Sequence, residues 1–156
     1  VSLNPNLNYH TTKTCSESSP VLFPWTLTLT SNPFMATFRD LKVYQLCRKL
    51  NKDIFLLMKN PAFDRNVRDQ LSRASMSIAL NIAEGSGRFS HKDKRNFYVI
   101  SRASASECIA LLDIVEDFQL VTQEEADQFR SRYEELSKML FGMIRSLDTH
   151  LQKDAG

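Results

Sequence analysis

Arg88, Phe89, His91, Lys92, Lys94 and Arg95 crowd one short segment, with Asp93 as the only carboxylate among them, and Arg102 follows two turns later. Cations at this density attract phosphate groups, and an aromatic ring among them offers a face on which a base can stack. The chemistry on offer is binding rather than bond-making. A solvated, polar helix start would account for the same charges in a single chain. Several copies brought together by symmetry would turn a weak patch into a multivalent one. The preceding turn, Gly85–Ser90 (GSGRFS), invites comparison with phosphate loops. It follows a helix rather than a strand, and it lacks both the G-x-G-x-x-G spacing and the lysine of a P-loop.

Other reactive residues are placed poorly for catalysis. His10, His91 and His150 all fall near ends or loops, and no glutamate is followed by histidine in the Glu-x-x-His spacing of di-iron bundles. Cys15, Cys47 and Cys108 are odd in number, far apart and outside any C-x-x-C pair. Cys47 and Cys108 fall on apolar helix faces, where a free thiol acts as a small hydrophobe. These features fit a reduced, cytoplasmic, non-enzymatic protein with no metal and no cofactor. Glu107 falls at the edge of an apolar stripe, where a carboxylate is costly unless paired. Arg73, Ser77, Asn81 and Glu84 form a narrow polar stripe that could face it. A polar network of these five residues that fixes helix register is preferred to a catalytic acid.

The elements that carry these groups are helical. Val43, Leu46, Cys47, Leu50, Ile54 and Leu57 repeat at three- and four-residue spacing and predict a first helix over about Asp40–Met58. A second runs from Val67 to Glu84, capped by Asn66 and stopped by Gly85. Its apolar arc, widened by Met76, Leu80 and Ala83, is broad enough for burial on two sides. Met76 and Leu80 are therefore expected at an oligomer interface, together with Tyr44 and Phe55, a weaker apolar stripe of the first helix for which packing against the next helix of the same bundle is the alternative. Ser90 caps a third helix, His91–Phe118, with a core stripe of Phe97, Ile100, Ser104, Cys108, Leu111, Val115 and Phe118. Thr122 and Glu125 form a capping box for a fourth, which runs to about Leu151. Gly142 inside it costs stability unless something packs closely there. Short connections predict an all-α, antiparallel, up-down-up-down four-helix bundle.

That bundle occupies residues 35–151, with a tail over 152–156. Residues 1–34 hold four of the five prolines and two charged residues, Lys13 and Glu17, so the net charge of +2 belongs to residues 35–156. The first 34 residues read as a disordered leader, or as upstream sequence translated ahead of Met35. VLFPWTLTL (21–29) is too short to span a bilayer and lacks a positive flank. Near-balanced charge excludes the global basic field of a dedicated nucleic-acid-binding domain.

Phe38-Arg39-Asp40-Leu41-Lys42-Val43-Tyr44 resembles the opening of the four helix bundle protein family, also described as the large-subunit ribosomal RNA intervening-sequence protein family and often labelled ribosomal protein. The similarity continues through Gln70-Leu71, Arg73-Ala74, Ser77-Ile78 and the run Asn81-Ile82-Ala83-Glu84-Gly85-x-Gly87-Arg88. Phe97-Tyr98, Ser101-Arg102-Ala103-Ser104 and Glu107 extend it into the third helix, so that it covers roughly residues 36–148. Ala79-Leu80 departs from relatives that carry Pro-Ser there. The resemblance implies a bacterial cytoplasmic protein that assembles as a homo-oligomeric ring, typically a pentamer. A similar bundle is the accessory protein of diversity-generating retroelements, where it contacts the reverse transcriptase and nucleic acid. The function expected is weak RNA or DNA binding through the basic turn. The alternative is a protein-interaction scaffold, or an accessory subunit of a larger complex.

Overall fold

The computed structural model describes residues 38–154, the first of which form a 3-10 turn at Phe38–Asp40. The leader expected over residues 1–34 and the last two residues lie outside the described residues. Four helices come after it: α1 (Lys42–Leu57), α2 (Arg65–Ser86), α3 (His91–Asp117) and α4 (Gln123–Asp154). The four-helix, all-α reading holds.

Side-chain contacts fix the helix directions. Asn51 of α1 meets Ser75 of α2, Ser77 of α2 meets Ser104 of α3, Arg102 of α3 meets Ser137 of α4, and Arg132 of α4 meets Asp53 of α1. Along α2 and α3, Ser77 and Ile78 meet Ser104 and Ser101 in turn, and along α3 and α4, Arg95 and Arg102 meet Asp148 and Ser137. These neighbours therefore run antiparallel, and the short α1–α2 connection reverses the chain in the same way. Each helix packs on its two neighbours, and no Cα of α1 lies within 8 Å of one in α3. That separation excludes a disulfide between Cys47 and Cys108, which needs Cα atoms closer than about 7 Å.

The core is an apolar column from all four helices. α1 contributes Val43, Cys47, Leu50 and Ile54; α2 contributes Leu71, Ala74, Ile78 and Ile82; Tyr133, Leu136 and Leu140 come from α4. One polar layer interrupts it. The Ser75 hydroxyl donates to Asn51 Oδ1, which Cys47 Sγ also approaches, at 3.9 Å. The buried Tyr133 hydroxyl lies beside Ser75 and Cys108 without an aligned hydrogen bond to either. Burial pushes the Cys47 and Cys108 thiols up to about 12.

The helix ends correct several expectations. α2 starts two residues early, because Asp64 rather than Asn66 is the N-cap; its carboxylate accepts from Asn66 N at 2.7 Å. It also ends later, at Ser86 with Gly87 as C-cap, so Gly85 is interior rather than the stop. Neither glycine adopts a positive φ. Gly85 serves close packing: a Cβ there would sit 2.8 Å from Tyr98 Cε1 and 2.9 Å from Phe97 Cβ. α3 begins as expected, with Ser90 accepting from Asp93 N. It ends in a Schellman arrangement in which Leu120 N donates to Val115 O and Gln119 N to Glu116 O, with Gln119 at φ 56° in the glycine-favouring region. The α4 capping box is reciprocal: Glu125 N donates to Thr122 Oγ1 and Thr122 N to Glu125 Oε2. The helix continues past Leu151 to Asp154.

The buried face of α3 also differs from the expected stripe. Tyr98, Ser101, Ser104, Ala105, Cys108, Leu112 and Val115 are inside, whereas Ile100 is 48 % exposed and Phe118 66 %. Small residues let α2 and α3 approach closely: Ser101 Oγ donates to Ile78 O at 3.0 Å, and the Ser77 and Ser104 hydroxyls meet at 2.9 Å. Close approach, rather than greatest apolarity, sets this face.

Candidate nucleic-acid interface

The α2–α3 turn brings the basic cluster to one end of the bundle, and the structure sorts its members. Arg88 pairs with Glu84 one turn back along the chain, and its guanidinium lies 4.8 Å from the centre of the Phe97 ring. Arg95 reaches across to Asp148 on α4. Arg102 covers the Phe141 ring at 5.2 Å and donates from Nε to Ser137 Oγ at 3.3 Å. His91 packs against His150, with ring centres 5.2 Å apart. Arg88, Arg95 and Arg102 are thus committed to neighbours in their own bundle.

Phe89, Lys92 and Lys94 remain. Phe89 is fully solvent-exposed at 102 % and sits at the apex of the turn. Lys92 is exposed, and Lys94 is half-buried at the rim of an apolar groove with Tyr98, Met139, Gly142 and Met143. Neither lysine makes an ion pair among the described residues. Beside the turn, Leu80, Asn81, Ala83, Glu84, Gly87 and Arg88 line an open cleft of about 640 Å³. Its one carboxylate, Glu84, is the one paired with Arg88.

The five-residue polar network assembles only in part. Asn81 Nδ2 donates to Ser77 O at 2.8 Å and to Ser77 Oγ at 3.0 Å, and Ser77 continues to Ser104. Glu84 belongs to the Arg88 pair instead. Arg73 and Glu107 are both exposed and stand outside the network, so Glu107 escapes the desolvation that made pairing necessary. Sequence reasoning missed Asn51, Ser75 and Ser101. The signal available was the run of small hydroxyl residues on α2 and α3, which marks helices in close contact.

The expected interface residues also divide. Phe55, Met76 and Leu80 are exposed, whereas Tyr44 is half-buried and meets Phe38 edge-on at 4.9 Å. Val99, Ile100, Ile114 and Phe141 join the exposed apolar set. Among the described residues no three histidine, cysteine or acidic side chains gather as a metal site, and no helix is long and apolar enough to cross a membrane.

Comparison with known proteins agrees with this architecture. A crystal structure of a protein of unknown function from the S23 ribosomal protein family of Bacteroides thetaiotaomicron superposes with a TM-score of 0.63 at 24 % identity. The match covers 65 % of this chain and 97 % of that one, and at such identity it speaks to fold alone. No curated protein matches significantly. The family model for 23S rRNA-intervening sequence proteins matches residues 39–142, two thirds of the chain, from the start of α1 into α4, and the chain belongs to that family.

Proposed function

We propose that the protein is a non-enzymatic, self-associating bundle that holds RNA or DNA weakly through the α2–α3 end. The observation that carries this reading is Phe89, a whole phenyl ring in solvent at the apex of a turn, with Lys92 close by in sequence. The ring contributes nothing to the core, and an exposed ring flanked by cations suits stacking on an unpaired base. The family name ties its members to intervening sequences of 23S rRNA, which makes RNA the first ligand to try. One or two free lysines bind weakly, so assembly is part of the proposal. Phe55, Met76, Leu80 and Ile100 supply exposed apolar surface for it. A pentamer, favoured by the resemblance, would repeat the patch five times. Buried free thiols at Cys47 and Cys108 suit a reducing, cytoplasmic setting.

The test is fluorescence anisotropy of the intact assembly with single-stranded RNA at low salt, alongside light scattering. Binding that falls steeply with salt and weakens in Phe89→Ala and Lys92→Ala is expected. A monomer that leaves RNA free at low salt would refute the reading. The exposed apolar residues of α3 favour a second one, a scaffold or accessory subunit that docks a protein partner such as a reverse transcriptase. Co-purification that survives nuclease treatment separates the two.

A further inference from the structure

The strongest run of unneutralised charge lies away from the turn, on the outer face of α1. Lys42, Gln45, Lys49 and Lys52 recur at three- and four-residue spacing along one side of the helix, with Arg48 beside them, and all five are exposed. At 1.5 Å per residue, Lys42 and Lys52 stand about 15 Å apart along the axis. The 3-10 turn before the helix adds Arg39, held in place because Gln45 Nε2 donates to Arg39 O at 3.1 Å. Arg39, Gln45, Arg48, Lys49 and Lys52 line one shallow recess of about 470 Å³ that contains no carboxylate. None of these four cations makes an ion pair among the described residues. The acidic residue inside α1, Asp53, is turned aside and held by Arg132 of α4 at 2.7 Å.

We infer that this recess and stripe bind the phosphate backbone of double-stranded nucleic acid. The inference rests on the nucleic-acid reading above but assigns the phosphate contacts to a different face. The four cations that line the recess complement a polyanion, with Asp40 beside Arg39 the nearest carboxylate in sequence. The neighbouring Phe38 ring is occupied by Arg39 at 5.9 Å and by Tyr44 rather than open to a splayed base. Contacts there are confined to phosphates, which makes them independent of sequence. A bilayer surface fits less well, because the exposed apolar residues of α1, Phe55 and Leu56, stand together at its C-terminal end rather than along the cationic stripe.

The experiment uses the full chain and a labelled RNA duplex of about 20 base pairs, followed by anisotropy between about 50 and 200 mM salt. Four phosphate contacts give a slope of log K against log salt of about −3.6, roughly a hundredfold loss over that range. Arg48→Gln/Lys49→Gln/Lys52→Gln should cut affinity at least tenfold at the lower salt and flatten the slope by about 2.7. The helical circular dichroism and light scattering of this variant should match the parent, since the side chains are exposed. Phe89→Ala/Lys92→Ala should leave duplex binding within about twofold while weakening single-stranded binding. Duplex affinity and slope unchanged in the stripe variant would overturn the inference. So would tighter binding to vesicles of anionic lipid than to the duplex. Duplex binding lost only in the turn variant would overturn it while leaving the proposed function standing. A parent protein that binds neither duplex nor single strand would overturn both.

Discussion

The α2–α3 turn and the outer face of α1 are both basic in sequence, yet they differ in what their cations are free to do. At the turn, Arg88 answers Glu84, Arg95 answers Asp148 and Arg102 lies on Phe141. Arg39 of the 3-10 turn and Arg48, Lys49 and Lys52 of α1 share a recess without an acidic residue in its lining. A count of lysine and arginine does not separate the two, with five at the turn and five at the α1 face, whereas a count of unmatched charge favours the helix. An exposed ion pair adds little to stability, on the order of 0–1 kcal/mol, but it removes a cation from the set a polyanion can use. The end of α2 that leads into the turn also carries a structural duty that α1's outer face does not, because Gly85 must admit Tyr98 and Phe97.

The interior sets the scale for perturbing either region. Burial holds the Cys47 and Cys108 thiols at about 12, well above their value in an unfolded chain. A raised folded value means that the stabilisation is complete below about pH 9 and drains as pH rises toward 12. Each thiol then removes about 1.4 kcal/mol per pH unit. Urea unfolding at pH 8 and pH 10.5 should show a loss of several kcal/mol, and a flat profile would mean that the interior is open to water. Next in size is Gly85→Ala, which should cost about 1–3 kcal/mol by overpacking. Gly87→Ala, where a Cβ meets nothing nearer than 3.6 Å, should stay within about 0.5 kcal/mol. Equal effects at the two glycines would erase the structural half of the contrast. Gly142→Ala should stabilise the protein by about 1 kcal/mol, because a Cβ there meets open space within a long helix. The smallest effect is the sharpest test of the charge argument. Glu84→Gln/Asp148→Asn should release Arg88 and Arg95, raise RNA affinity a few-fold and steepen the salt slope by up to about 2. No gain would show that cations at the turn are unavailable for some reason other than pairing.

Much of the frame is legible in the sequence because its causes are local. The faces of α1 and α4, the Ser90 cap and the Thr122–Glu125 box each arise from residues within one or two turns of each other. α3 is the exception, because it holds more large apolar residues than its buried arc can take. Ile100 and Phe118 outrank Ser101 and Ala105 in hydrophobicity but not in how closely they let α2 approach. The sorting of the basic cluster is out of reach of any local pattern, since Arg95 and Asp148 lie 53 residues apart and meet only through the α3–α4 packing. The α1 stripe is present in the spacing of Lys42, Gln45, Lys49 and Lys52. A search for apolar periodicity passes over it, and its lack of acidic partners emerges only when Asp53 is seen to turn toward Arg132.

The placement of the two cysteines on diagonal helices also bears on how the bundle comes apart. Because α1 and α3 keep their backbones more than 8 Å apart, oxidation cannot lock the closed form. Each thiol becomes reactive only when its own corner opens, which makes the pair two clocks at opposite corners. Equal alkylation rates at Cys47 and Cys108 would describe a bundle that opens as one unit. Faster loss of Cys47 would describe α1 peeling away alone and taking the cationic stripe with it; a bound duplex would then slow that clock and leave the other running.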